Sequence, residues 1–187
     1  MKIPKWLKIV GLLLVGLFLL FKFVAWPMLQ KETKKISPET TTTYTENGYD
    51  LSLTYSSPSK KGRVIFGELV PYDVVWRTGA NEPTTFTTAT DIKIMNNNLP
   101  AGTYSVWTKP GPKNWSVIFN EEVPDWGVTL LGGGTTRDPE KDVVQVDVLS
   151  KSLASPQENL TIVFQDTGLL HLALSWDKTI ILVPISK

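Results

Sequence analysis

One short stretch holds side chains that could do chemistry and that no hydrophobic core requires: Trp76-Arg77-Thr78-Gly79-Ala80-Asn81-Glu82. Arg77 carries a planar fork of N–H donors suited to carboxylate or sugar oxygens. Glu82 supplies acceptors, and Thr84, Thr85, Thr87 and Thr88 add hydroxyls just beyond. Gly79 and Asn81 tolerate left-handed backbone, so the loop can turn sharply. If Val74–Thr78 is a strand, Trp76 and Arg77 point to opposite faces. The stretch therefore reads as a ligand-contacting loop built on Trp76, Arg77, Thr78, Asn81 and Glu82. The competing reading is structural. Arg77 and Glu82 would pair with each other and with loop carbonyls to hold a difficult turn, and that role asks for the same residues.

The chain has seven tryptophans. Trp115 alternates with Val117 and Phe119 and so belongs to a buried face. Trp126 sits between Pro124-Asp125 and Gly127, a loop context, and is the expected exposed platform for a sugar ring or a proline. It joins the candidate ligand-binding set.

Catalytic machinery is hard to assemble from this composition. His171 is the sole histidine, so any Ser-His-Asp arrangement would need it as the base, and no Gly-x-Ser-x-Gly elbow accompanies it. One histidine and no cysteine do not build the usual zinc shells. Asp138, Glu140 and Asp142 offer oxygens to calcium but without the alternating acidic spacing of a calcium loop. Gly132-Gly133-Gly134 lacks the Lys-Ser/Thr that follows a phosphate loop and reads as a flexible linker. Paired carboxylates could make a glycosidase, and Glu68, Asp73, Glu82 and Asp91 all lie near the loop. No catalytic residue, metal or cofactor is assigned.

The elements that must position the loop begin with a membrane segment. Residues 1–36 hold seven lysines and one acid, a net of +6, whereas residues 37–187 carry twelve basic and seventeen acidic residues, a net of −5. An acidic globular part without a basic cluster argues against nucleic acid as a partner. The basic end surrounds the apolar run Trp6–Trp26. As a helix that run would rise roughly 30 Å, the thickness of a bilayer core. Trp6 and Trp26 lie where interfacial aromatics belong, and Lys8 and Lys22 can snorkel to the headgroups. Pro27 is expected to stop the helix. A cleaved signal peptide is the alternative. Its nearest cleavage site, Phe23-Val24-Ala25, puts Phe where a small residue is wanted, which favours a retained anchor. Lys2, Lys5 and Lys8 favour an N-terminus inside, and Lys31, Lys34 and Lys35 compete on the other side. A first hydrophobic segment acting as signal-anchor puts the globular part outside the cytoplasmic membrane.

Gln30–Thr43 is polar, contains one proline and reads as a linker. Beyond it the chain is a series of short strand signals. Asn47-Gly48 marks a hairpin between Thr41–Glu46 and Tyr49–Ser56. Pro110-Gly111-Pro112 marks another between Thr103–Thr108 and Trp115–Asn120. Arg63–Gly67, Val74–Thr78, Thr84–Thr90, Val143–Leu149, Leu160–Phe164, Leu169–Trp176 and Thr179–Ile185 read as further strands, the last two joined at Asp177-Lys178. About ten strands spaced by roughly ten residues, with no amphipathic helix, indicate an antiparallel β-sandwich or barrel. The expected organisation is an anchor over 1–29, a linker over 30–43 and an all-β domain over 44–187.

Several collinear motifs also carry a resemblance. SPSKKGRVIFGELVPYDVVWRTGANEPTTFTT, LPAGTYSVWTKPG, NWSVIFN, DWG, ENLTIVF and LSWDKTIILVPI together cover nearly all of Tyr49–Ile185. They resemble the bacterial domain-of-unknown-function family 2911. The resemblance implies a β-rich, secreted or envelope-facing domain with no settled activity. Two features depart from the family pattern: Asp73 stands where Gly is usual, and Gly132-Gly133-Gly134 looks like a local elaboration. The resulting expectation is a membrane-anchored, non-catalytic binding or interaction module with a glycan or envelope protein as partner. The alternatives are a carboxylate-based hydrolase acting on envelope glycans, with Glu82 as acid or base, and a purely structural envelope domain.

Overall fold

A computed structural model describes residues 4–129 and 134–187, so Gly132 and Gly133 lie outside the described residues. The chain divides into two compact units, Met1–Ile36 and Ser37–Lys187. The first is one run of helix, Lys5–Ile36, long and apolar enough to cross a membrane. It comprises α1 (Lys5–Leu20), a π-helical turn (Phe21–Ala25) and α2 (Trp26–Ile36). Pro27 does not stop it. The π-turn sends the Trp26 N–H to Phe21 O, and Pro27 then falls in the first turn of α2, where a missing N–H is tolerated. The linker reading of Gln30–Thr43 is likewise corrected. Gln30–Ile36 is helix, and β1 begins at Glu39. A polar helix and a Thr-rich edge strand bury little, so their composition resembles that of a linker.

The second unit is one nine-stranded antiparallel sheet in the order β1-β2-β3-β6-β7-β8-β9-β4-β5. The strands are β1 (Glu39–Tyr44), β2 (Leu51–Ser56), β3 (Thr84–Thr88), β4 (Ile92–Ile94), β5 (Asn97–Leu99), β6 (Gly102–Lys109), β7 (Asn114–Asn120), β8 (Asp142–Asp166) and β9 (Leu170–Ser186). Asn47 and Gly48 have φ of 53° and 75°, as a primed hairpin turn requires. The core takes Leu51, Leu53 and Tyr55 from β2, Phe86 from β3, and Trp115, Val117 and Phe119 from β7.

Two long strands replace four expected short ones. The first part of β8 pairs with β7, and from Ser150 onward it pairs with β9. In β9 the residues of the shared core run Leu170, Leu172, Leu174, Trp176 and then Ile181, Val183, Ile185. The alternation changes phase around Asp177, which has φ 51°, and the register of β8 shifts on either side of its partner Gln157. A bulge inserts a residue and turns the opposite side of a strand toward the core. That phase change is why Asp177-Lys178 reads as a turn in sequence. Lys60 pairs with Asp177 and holds the bulge from a neighbouring loop.

The sheet curls until its β1–β2 side meets the far half of β8. The Ile162 N–H donates to Tyr55 Oη at 3.1 Å, Ser57 Oγ donates to Leu160 O at 2.7 Å, and Tyr44 Oη donates to Asp166 at 2.5 Å. The result is a sandwich whose layers share β8 and whose open side is laced shut, close to a barrel. On the outer face of β6 and β7, Trp107 is fully buried. The segment after β7 is tied there: Ser105 Oγ donates to Glu122 O at 2.5 Å, Asn120 Nδ2 donates to Asp138 O at 2.7 Å, and Arg137 pairs with Asp142.

The Tyr44 hydroxyl and the Gly168 N–H hold the Asp166 carboxylate below its ordinary pKa. A depressed carboxylate contributes stability that is present above the unfolded value of about 3.9 and is lost as pH falls through the folded value. In the Tyr44→Phe variant, carboxyl NMR should find the Asp166 pKa moved up toward the unfolded value. An unchanged pKa would show that this hydrogen bond does not govern it.

Candidate functional site

The stretch from Arg63 to Pro83 contains no regular strand among the described residues, only single bridges between Phe66 and Val70 and between Trp76 and Thr108. The Val74–Thr78 strand reading is therefore reduced to one antiparallel bridge, with Trp76 N–H to Thr108 O at 2.7 Å and Thr108 N–H to Trp76 O at 2.9 Å. One bridge is enough to orient the pair. Trp76 turns inward, stacked on Trp176 with ring centroids 6.0 Å apart and planes at 18°. Phe66 packs edge-on against Trp76, Trp115 and Trp176. Arg77 is half-buried at the side of a cleft.

The loop is held by hydroxyls and an indole. Trp76 Nε1 donates to Gly79 O at 3.0 Å, Thr84 Oγ1 donates to Thr78 O at 2.8 Å, and Thr78 Oγ1 donates to Thr108 Oγ1 at 3.2 Å. Thr78, one of the expected ligand-contacting residues, is wholly buried, and its hydroxyl bonds within the loop and to Thr108. Thr78 and Asn81 take the positive φ values, 58° and 63°. Gly79 is required for a different reason than left-handed backbone, because a Cβ there would lie 3.0 Å from Ser56 O. Asp73 also has positive φ, 60°, which accounts for the glycine that the resemblance places at that position.

Arg77 does not serve as the loop's internal clamp. Among the described residues, the ion pairs outside the helical unit join Lys60 to Asp177, Arg137 to Asp142 and Lys141 to Glu121, and none involves Arg77. Burial lowers its guanidinium pKa. Its Nε and the Asn81 Nδ2 are buried without an acceptor among the described residues. Leaving a buried donor unsatisfied costs on the order of 1–3 kcal/mol, so such groups in a native protein demand an explanation.

The segment that crosses the outer face of β6 and β7 completes the surroundings. The Gly127 N–H donates to Asn81 O at 2.9 Å, and a Cβ on Gly127 would lie 2.8 Å from Arg77 Cβ. Val128 bridges Thr135. Between these pieces lies a cleft of about 340 Å³ lined by Val74, Val75, Trp76, Arg77, Val128, Gly134 and Thr135, in the size range of small-molecule sites. The fold brings Arg77 and the segment that carries Trp126 together at Gly127. Trp126 is half-buried, not an open platform, and Thr136 Oγ1 donates to its carbonyl at 2.5 Å. Asn81 and Glu82 are half-buried on the loop and are not among the cleft's lining residues. Val74, Val75, Gly127, Val128 and Thr135 escaped sequence reasoning. Only the valine pair had a signal, an apolar run beside the loop.

Elsewhere the geometry is ordinary. The His171 ring, Nδ1 2.8 Å from Leu169 O, is part-exposed on β9. Among the described residues no group of three acids, histidines or cysteines is placed to hold a metal. A void of about 10 Å³ beneath Thr78, Thr84 and Thr108 has room for one water at most.

Close contact at Gly127 gives a direct test. Gly127→Ala should lower unfolding stability by about 1–3 kcal/mol through overpacking. In an Arg77→Ala background that penalty should shrink, and a urea-unfolding double-mutant cycle should show coupling of about 0.5 kcal/mol or more. Strict additivity would show that the two residues do not pack against each other.

No curated protein and no solved structure matches the chain. A family described as "Protein of unknown function (DUF2911)" matches residues 37–185, the whole sheet unit apart from its last two residues, and the chain belongs to that family.

Proposed function

We propose that this chain is a membrane-anchored, non-catalytic binding module, with its sheet domain on the outer side of the cytoplasmic membrane and its ligand seated in the cleft beside Arg77. The cleft carries the reading: about 340 Å³, walled by valines from two separate segments, with one guanidinium at its side. Apolar walls with a small number of polar groups, here Arg77 and Thr135, are the usual composition of a small-molecule site. The apolar helix supports the anchor, and the lysines at its N-terminal end support the sidedness. A glycan or an envelope protein remains the expected partner.

The hydrolase alternative draws less support. Glu82 is not among the residues that line the cleft, and the described lining residues carry no carboxylate. The architectural alternative is favoured by one observation, the set of hydroxyl and indole bonds that satisfies the loop from within.

Thermal unfolding of Ser37–Lys187 against envelope glycans, peptides and Ca²⁺ separates these readings. That unit draws its core entirely from its own residues. A ligand at about 100 times its Kd should add roughly 2.7 kcal/mol and raise the midpoint by several degrees. The shift should vanish in a folded Arg77→Ala variant. No shift with any compound would favour the architectural domain.

A further inference from the structure

Resting on the binding reading of the cleft, we infer that it takes an organic monocarboxylate, its carboxylate held by Arg77 and a short branched apolar body lying against Val74, Val75 and Val128. Three observations carry this. Arg77 lines the cleft and has no carboxylate partner in the ion pairs of the described residues. Its aliphatic stem packs close against Gly127, where an added Cβ would fall 2.8 Å from Arg77 Cβ, so the stem is confined on that side. The other described lining residues are Val74, Val75 and Val128, from two segments, with Trp76, Gly134 and Thr135.

Charge decides between anion classes. One guanidinium matches one carboxylate in a two-point, planar contact. A phosphate carries about −1.5 to −2 at neutral pH and would ask for further cations. The described lining residues include no lysine and no second arginine, and residues 37–187 are net negative. A polyanion is therefore disfavoured, and within the glycan or envelope-protein reading a partner that presents a carboxylate is favoured over a neutral sugar, which would leave a desolvated cation facing valines. The same chemistry could come from a free branched-chain acid or from the C-terminus of a peptide that ends in an aliphatic residue.

The probes are 4-methylpentanoate and its neutral isostere 4-methylpentanamide, together with a short peptide ending in leucine as the free acid and as the amide. Each is titrated into Ser37–Lys187 and followed by amide NMR shifts of Val74, Val75 and Val128. Each acid should bind at least about tenfold more tightly than its amide, the ratio expected for a charge-assisted hydrogen bond. In a folded Arg77→Met variant that preference should be lost. The acid-to-amide comparison on the unaltered protein stands even if the variant fails to fold. Binding by the peptide acid above 4-methylpentanoate identifies a chain terminus as the source, and the reverse order identifies a free acid. Equal binding of acid and amide at the cleft valines would overturn the charge assignment and leave the binding site intact. Absence of any shift at those valines with all four probes would overturn both.

Discussion

The stack of Trp76 on Trp176 is the contact on which the rest of this domain turns. It joins an irregular loop to the long last strand, and Phe66 closes it edge-on while also touching Trp115 of β7. Each such aromatic pair contributes about 0.5–1.5 kcal/mol beyond the area it buries. Its positional effect is larger. With Trp76 turned into the core and its backbone bridged to Thr108, the next residue must face the other way, and that residue is Arg77. Trp176, on the other side of the stack, directly precedes the Asp177 bulge where β9 changes phase. The same contact therefore sits beside the cleft and beside the bend that lets one sheet form two layers.

The loop that carries Arg77 is costly backbone. Thr78 is β-branched and has positive φ, a conformation that costs of order 1–3 kcal/mol. Stability returns through bonds made in a dry setting: Thr84 to the Thr78 carbonyl, Thr78 to Thr108, and the Trp76 indole to the Gly79 carbonyl. Hydrogen bonds in low dielectric are stronger, and the cost of leaving them unmade is higher. None of them uses the arginine. The scaffold thus satisfies these loop carbonyls without the guanidinium.

Covering segments play opposite parts on the two faces of β6 and β7. Inward, the curled sheet buries Phe86, Phe119 and Val106 in the shared core. Outward, Trp107 is fully buried and its indole donates to Ser105 Oγ, which in turn bonds the segment after β7 at Glu122 O; that segment runs on to place Gly127 against the Arg77 stem. The ties that fix it, through Ser105, Asn120 and the Arg137–Asp142 pair, hold one wall of the cleft in register with the loop opposite.

Local patterns are legible in the chain itself. The apolar run from Trp6 to Trp26 marks the helix, Asn47-Gly48 and Pro110-Gly111-Pro112 mark two hairpins, and Trp115, Val117 and Phe119 mark a buried face, because each depends on residues adjacent in sequence. The polar stretches are less readable. Gln30–Thr43 holds both a helix end and an edge strand, and neither buries enough apolar surface to leave a period. The bulge at Asp177 resembles a turn because a phase change and a chain reversal leave the same trace. Residue type alone singles out Arg77, and a loop setting singles out Trp126. Thr78 reads as a surface residue, because nothing in a one-dimensional string tells that hydroxyl it will face Thr108. The cleft belongs wholly to tertiary structure: its walls, Val74 and Val128, lie on segments far apart in the chain, brought together by a stack of two indoles and a loop drawn across the outside of a sheet.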